Sequence, residues 1–414
     1  MKTLLTLLFT LSVMFSGLAE TLSLDDCLQM ALANNPDLRK SRTAFQQSRI
    51  QTRQAWSGLS PSVSANASSS NSGPVVSEME DDWSWSLGGS VNQTFYSPGM
   101  YSRISLAKKQ QTSSEYSYES LEDQIRASVQ NVYYQILVSD TLAGVYRANI
   151  HAADEQITKM RLMVELGLKR ESDLLKSEVQ RGTFEAQLVR EQQSLAASKR
   201  TLNRLMGREP GIPYDILPLD VQAIDIPNFT SAYAVMLEAS PALKRFKTQV
   251  DIRKLSLRIS KEAYLPSVSG SYSYSQTSGA LGGPSMESDQ VSLRLSLDLF
   301  DGFRKHQNVQ VSKLDLQDAQ LDFQAALRDA DETLRNQYKA LDTQNRLIGI
   351  HETSLASARK DLEVVTEQYA AGLSSILDLT DAQVSVLESE SSLLQDLYAR
   401  KRIEAEIRRL IGSN

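Results

Sequence analysis

Only one cysteine, three histidines and three tryptophans occur among the 414 residues, and beyond residue 19 no long apolar run is found. A single cysteine excludes an intrachain disulfide, so stability has to come from packing or from association. Cys27 itself reads as a small buried helix residue. His151, His306 and His351 lie far apart on helical stretches and read as solvated side chains. Metal-ligand spacing, a nucleotide-binding glycine loop and a nucleophile elbow are all missing, so no enzyme activity, cofactor or metal centre is expected. The longest apolar run after residue 19 falls well short of the roughly 18 residues a spanning helix needs. A membrane crossing would therefore have to use β-strands closed into a barrel, because lipid satisfies no exposed backbone N–H or C=O. The formal charge of -6 argues against a nucleic-acid partner.

Residues 1–19 combine Lys2, an apolar run over residues 4–15, and the small residues Gly17 and Ala19 before Glu20. That order reads as a secretory signal peptide, with a mature chain starting near Glu20 outside the cytoplasm. No cysteine stands at the expected cleavage point, so a lipid anchor is not expected.

The rest is one motif written twice. A shift of 205 residues carries Pro36 onto Pro241, Pro61-Ser62-Val63-Ser64 onto Pro266-Ser267-Val268-Ser269, Gly167-Leu168 onto Gly372-Leu373, and Asp173-Leu174 onto Asp378-Leu379. The spacing is too long for a solenoid, so whole structural units repeat. The first repeat spans residues 20–207 and the second 229–412. Between them residues 208–228, with Pro210, Pro213, Pro218 and Pro227, read as an irregular linker.

Each copy has one internal order. Ser23 and Asp26 form a capping box that opens a helix, offset at Asn34-Asn35-Pro36. A β-hairpin follows over residues 62–97 in the first copy and 267–301 in the second. Residues 62–70 alternate polar with small or apolar residues, and Trp83, Trp85, Leu87 and Val91 alternate after an acidic loop at 78–82. In the second copy residues 279–288 read as the loop, and Val291, Leu293, Leu295, Leu297 and Leu299 keep strict period two. Strands of about ten residues are long enough to cross a bilayer with tilt.

Residues 304–369 then contain no proline and a single glycine, Gly349. Leu327, Leu334, Leu341, Ile348, Leu355, Leu362 and Tyr369 recur every seven residues, as do Val129, Ile136, Ala143, Ile150, Ile157 and Val164 in the first copy. Such heptads predict coiled-coil packing of helices roughly 100 Å long. A return helix follows each turn at Gly167 or Gly372. The apolar stripe is narrow between two polar faces, which suits a one-layer wall wetted on both sides. The fold class expected is mainly α with membrane β. Four strands are too few to close a membrane barrel, which takes at least about eight. Three chains would supply about twelve, with the long helices forming an α-barrel. A periplasmic coiled-coil adaptor or scaffold would share the signal and heptads but has no use for membrane-length strands.

Residues 24–38, LDDCLQMALANNPDL, together with the repeat and the hairpin-to-long-helix order, resemble the TolC-like outer-membrane efflux proteins over essentially the whole mature chain. The resemblance implies a homotrimeric β-barrel in outer-membrane lipid continued by a periplasmic helical tunnel. It also implies a passive exit duct for an efflux or type I secretion system, docked to an inner-membrane pump through a periplasmic adaptor. By the same resemblance, Asp378 and Asp381 match aperture aspartates that would form two carboxylate rings in a trimer. Asp173 and Tyr369 match latch positions at the tip, and the turns Gly167-Leu168 and Gly372-Leu373 are candidate adaptor contacts. Ser374 departs from the family pattern, where an arginine follows the turn glycine. The tip is therefore expected to close less firmly unless Lys169 or Arg170 compensates.

Overall fold

The computed structural model describes residues 20–71, 83–219, 225–278 and 284–412. The signal segment, the acidic loop 78–82, part of the second hairpin loop and residues 220–224 of the linker lie outside the described residues. The elements run β1 (Glu20–Leu22), α1 (Leu24–Asn34), α2 (Pro36–Ser57), β2 (Ser62–Asn71), β3 (Trp83–Tyr96), α3 (Met100–Glu165), α4 (Glu171–Leu205), β4 (Tyr214–Ile216), α5 (Phe229–Ala239), α6 (Pro241–Glu262), β5 (Ser267–Ser278), β6 (Ser285–Ser296), α7 (Arg304–Ala370) and α8 (Ile376–Ile411). They cluster into two compact units, one of residues 1–40, 120–240 and 330–414, the other of residues 41–119 and 241–329. Each unit draws on both copies of the sequence motif.

In the first unit the capping box forms as read. The Asp26 amide donates to Ser23 Oγ at 3.1 Å, and the Ser23 amide donates to Asp26 Oδ2 at 3.0 Å. Asn35 does more than interrupt the helix. Its Oδ1 accepts from the amides of Asp37 and Leu38 at 2.9 and 3.1 Å, so it caps α2, while Pro36 supplies a first helical residue that needs no N–H partner. Cys27 is fully buried, and burial pushes its thiol up to about 11, which keeps it protonated and inert. Beside it, Tyr133 donates to the carbonyls of Leu22 and Leu217 at 3.2 and 2.6 Å. Those carbonyls flank a feature that sequence reading missed. β1 and β4 pair in parallel, so part of the linker is strand.

The heptad residues divide by depth. Val129, Ile136, Ala143 and Ile157 of α3 and Leu334, Ile348 and Leu355 of α7 are buried, whereas Ile150, Val164, Leu327, Leu341, Leu362 and Tyr369 are half-buried. His351 departs from the solvated reading. Its Nδ1 lies 2.5 Å from Asp396 Oδ2, and Gln344 donates to Asp396 Oδ1 at 2.6 Å, so the ring links α7 to α8.

The second unit holds an antiparallel four-stranded sheet of order β2-β3-β5-β6. The two hairpins thus join through β3 and β5, and no described strand pairs with the outer edge of β2 or of β6. Register puts Val63, Val91, Tyr272 and Val291 in one row across all four strands. On the other face serine hydroxyls meet in pairs, Ser64 with Ser90 at 2.9 Å, Ser68 with Ser86 at 2.8 Å and Ser271 with Ser292 at 2.7 Å. One face is therefore apolar and the other hydroxylated. Among the described residues nothing covers the apolar face of β6, where Val291, Leu293 and Leu295 are 81, 75 and 70% exposed. The expected hairpin limits shift. Residues 285–288, read as loop, are strand, and β6 stops at Ser296 although alternation continues to Leu299. The ladder ends there because Ser296 pairs with Ser267, the residue after Pro266, where β5 begins.

Gly207 closes α4 in the left-handed region at φ 71°, with the Arg208 amide reaching back to the Asn203 carbonyl at 2.8 Å. A Cβ there would sit 2.4 Å from the Asn34 carbonyl oxygen, whereas one at Gly167, φ 72°, would meet nothing within 4 Å. Gly167→Ala should cost only the left-handed strain of ~1–2 kcal/mol, and Gly207→Ala about 1–2 kcal/mol more from overpacking. Thermal unfolding in detergent should rank the two variants in that order.

Candidate functional site

Two helix-turn tips in the first unit gather the expected site residues. Gly167 at φ 72° and Gly372 at φ 78° let each turn close on itself, with the Leu168 amide donating to the Met163 carbonyl and the Leu373 amide to the Gln368 carbonyl, both at 2.8 Å. Leu168 and Leu373 then point into solvent, 70 and 81% exposed. Beneath the turns Met160, Ile376 and Leu379 form a small buried cluster with Val164, Leu174, Leu362, Val365 and Tyr369 around it. Gln383 of α8 also donates to Gln156 of α3 at 3.2 Å. The two tips are thus one packed body.

Asp378 sits in the first turn of α8 as half of a capping box. The Ser375 amide and hydroxyl donate to its Oδ2 at 2.7 and 2.6 Å, and the Ser374 hydroxyl adds a longer contact at 3.4 Å. These bonds, the Ser375 side chain first, hold its carboxyl below the usual aspartate value. Asp381 lies one turn on and is exposed like Asp378, so the two acids share a helix face at spacing three. The corresponding first-copy residues are Asp173 and Lys176.

Tyr369 and Asp173 come close enough for the carboxylate to help hold the phenol above its ordinary value, after burial as the main cause. The phenol hydrogen bond goes elsewhere, from the hydroxyl to the Met160 sulfur at 3.6 Å. Lys169, from the opposing turn, places its Nζ 4.2 Å from the Tyr369 ring centroid. Arg170 stands at the N-cap of α4 without a side-chain cap bond. Of the two basic residues in the opposing turn, Lys169 is thus the one set against the Tyr369 ring. Met160 and the ring contact were not legible in the sequence, because α3, the turn after it and α7 bring residues 160, 169 and 369 together only through tertiary packing. Among the described residues no cluster of histidine, cysteine and acid could hold a metal ion.

A small antiparallel sheet with two open edges, followed by long heptad helices, defines a mainly α fold class carrying an amphipathic sheet, and among the described residues no helix is long and apolar enough to cross a membrane. The family described as outer membrane efflux protein matches residues 27–208 and again 232–413, so the chain belongs to that outer-membrane family. It is 22% identical over 432 residues to the outer membrane protein TolC of Salmonella enteritidis, covering all of this chain and 87% of that protein. Against the cation efflux system protein CusC of Escherichia coli K12 it is 22% identical over 401 residues, covering 92 and 84%. The Campylobacter jejuni CmeC outer membrane channel has the same fold, with a TM-score of 0.84, 18% identity and coverage of 94 and 85%.

Because the Asp378 carboxyl is depressed by bonds made only in the folded chain, its stabilising effect is present above the ordinary value of 3.8 and is lost as pH falls below that through the folded value. Ser375→Ala should move the Asp378 titration, followed by carboxyl NMR in detergent, part of the way up towards 3.8, because the amide of residue 375 still donates to Oδ2.

Proposed function

We propose that three copies of this chain close edge to edge into a barrel of about twelve strands in the outer membrane, with their long helices lining a tunnel. The assembly is a passive duct of an efflux or type I secretion system. It takes cargo from an inner-membrane pump through a periplasmic adaptor and catalyses nothing. The observation that carries this reading is the sheet of the second unit. Among the described residues it has an apolar face left uncovered along β6, a hydroxyl face suited to water, and two unpaired edges. In lipid those edges must find strands, and four strands cannot close on themselves. A periplasmic scaffold, the competing reading, gives such a sheet no solvent for its apolar face.

At the tip, Asp378 and Asp381 would each form a ring of three carboxylates that favours cations. Capping by Ser375 and gating are compatible roles, since Oδ2 serves the helix while the charge remains exposed. Asp173, Tyr369 and Lys169 would hold the tip shut. Gly167, Leu168, Gly372 and Leu373 would meet the adaptor, because exposed leucines on a rigid turn offer apolar contact at little entropic cost.

In planar bilayers, replacing Asp378 and Asp381 together by alanine should lower cation over anion permeability; an unchanged ratio would remove the rings from the proposal. A ring-facing ammonium at a partly exposed site stabilises by ~0.5–1 kcal/mol. Lys169→Ala should accordingly raise the open fraction about two- to fivefold per protomer, and Lys169→Arg should restore it.

A further inference from the structure

The four long strands carry very little charge. Among β2, β3, β5 and β6 only Glu287, Asp289 and Arg294 are charged, and all three lie on β6. Register separates them. Glu287 stands opposite Gln276, itself opposite Leu87, and Asp289 stands opposite Tyr274, itself opposite Gly89. Both acids therefore share the apolar side, near the hairpin-loop end of β6. Arg294 stands opposite Ser269, itself opposite Thr94, with Ser292 and Ser296 on the same side of its own strand. It is the one charge on the hydroxyl face of these strands, two residues before β6 ends. Its side chain is exposed, and no carboxylate pairs with it among the described residues.

Placement on the hydroxyl face is the physically affordable one, since an arginine facing lipid costs ~2–4 kcal/mol at the bilayer midplane and less towards the interface. A guanidinium also stays charged at any physiological pH. On strands whose hydroxyl face is otherwise neutral, a fixed charge biases the sign of the local potential. Neutral hydroxyls can solvate ions of either sign, but they do not cancel it.

We propose that Arg294 is the charge-selecting residue of the barrel section, three copies forming a cationic belt that favours anionic permeants over cations. The inference rests on the trimeric duct reading above. It gives the duct a second selective element, independent of the acids on α8 and opposite to them in sign.

The experiment compares the chain with Arg294→Ser, Arg294→Lys and Arg294→Glu, each also in the Asp378→Ala, Asp381→Ala background so that the tip acids cannot mask the result. Chloride over potassium permeability is read from reversal potentials across KCl gradients. At about 10 mM salt, where screening extends to about 30 Å, Arg294→Ser should lower the ratio about two- to fivefold. Arg294→Lys should retain it, and Arg294→Glu should lower it further. Near 1 M salt, with screening within about 3 Å, the differences should collapse. Ratios unmoved by Arg294→Ser and Arg294→Glu at low salt, in channels that conduct, would overturn the inference and leave the duct intact.

A second readout tests the face itself. Because Cys27 is the chain's one cysteine and is fully buried, a water-soluble thiol reagent should label Arg294→Cys and spare Leu293→Cys in reconstituted protein. The reverse labelling, or protein that never conducts, would bring down the duct reading along with this one.

Discussion

An unpaired strand edge cannot be left in hydrocarbon, and everything distinctive about this chain follows from how that constraint is met. Each backbone group without a partner in lipid costs several kcal/mol, while the helices satisfy theirs internally wherever they are placed. The sheet satisfies its inner edges by joining one hairpin to the other through β3 and β5. It leaves β2 and β6 as outer edges. An apolar face that no described residue covers along β6, with a hydroxyl face on the other side, makes the same demand in a second way. Both demands are met together when further copies complete the wall, which is why the proposed function rests on the sheet and not on the more extensive helices.

The two copies of the motif share their architecture and differ in charge. The turn glycines at 167 and 372 adopt the same left-handed geometry, yet α8 begins with a capping serine and carries Asp378 and Asp381, whereas α4 begins with an uncapped arginine and has Lys176 where α8 has Asp381. Likewise β5 and β6 pair as β2 and β3 do, but the strand charges all fall on β6. Duplication accounts for the shared architecture, and divergence after it accounts for the charges proposed to select ions lying in the second copy. Ser374 belongs to the same divergence. With no arginine after the turn, contact with the tyrosine ring comes from Lys169 across the tip.

Buried order in the first unit is local and neutral for the most part. Cys27 and Tyr133 pack around the short parallel pair β1 and β4, where the tyrosine hydroxyl takes up two carbonyls at strand ends. His351 with Asp396 and Gln344 is an exception, a polar link between α7 and α8 where the heptad pattern alone calls for apolar contact.

Periodicity and capping chemistry were legible from the residues alone. Period two marked the strands, period seven the long helices, Ser23-Asp26 the first helix start, and the turn glycines the reversals, because each signal is fixed within a few residues of chain. Tertiary structure decided what depends on distant residues meeting. It paired β3 with β5, drew three linker residues into a strand against β1, stopped β6 at Ser296 where its partner began, and set Lys169 over Tyr369 and His351 against Asp396. Local sequence carries the alternation of a strand but not the identity of its neighbour, and a side chain's environment is set by that neighbour as much as by its own place in the pattern.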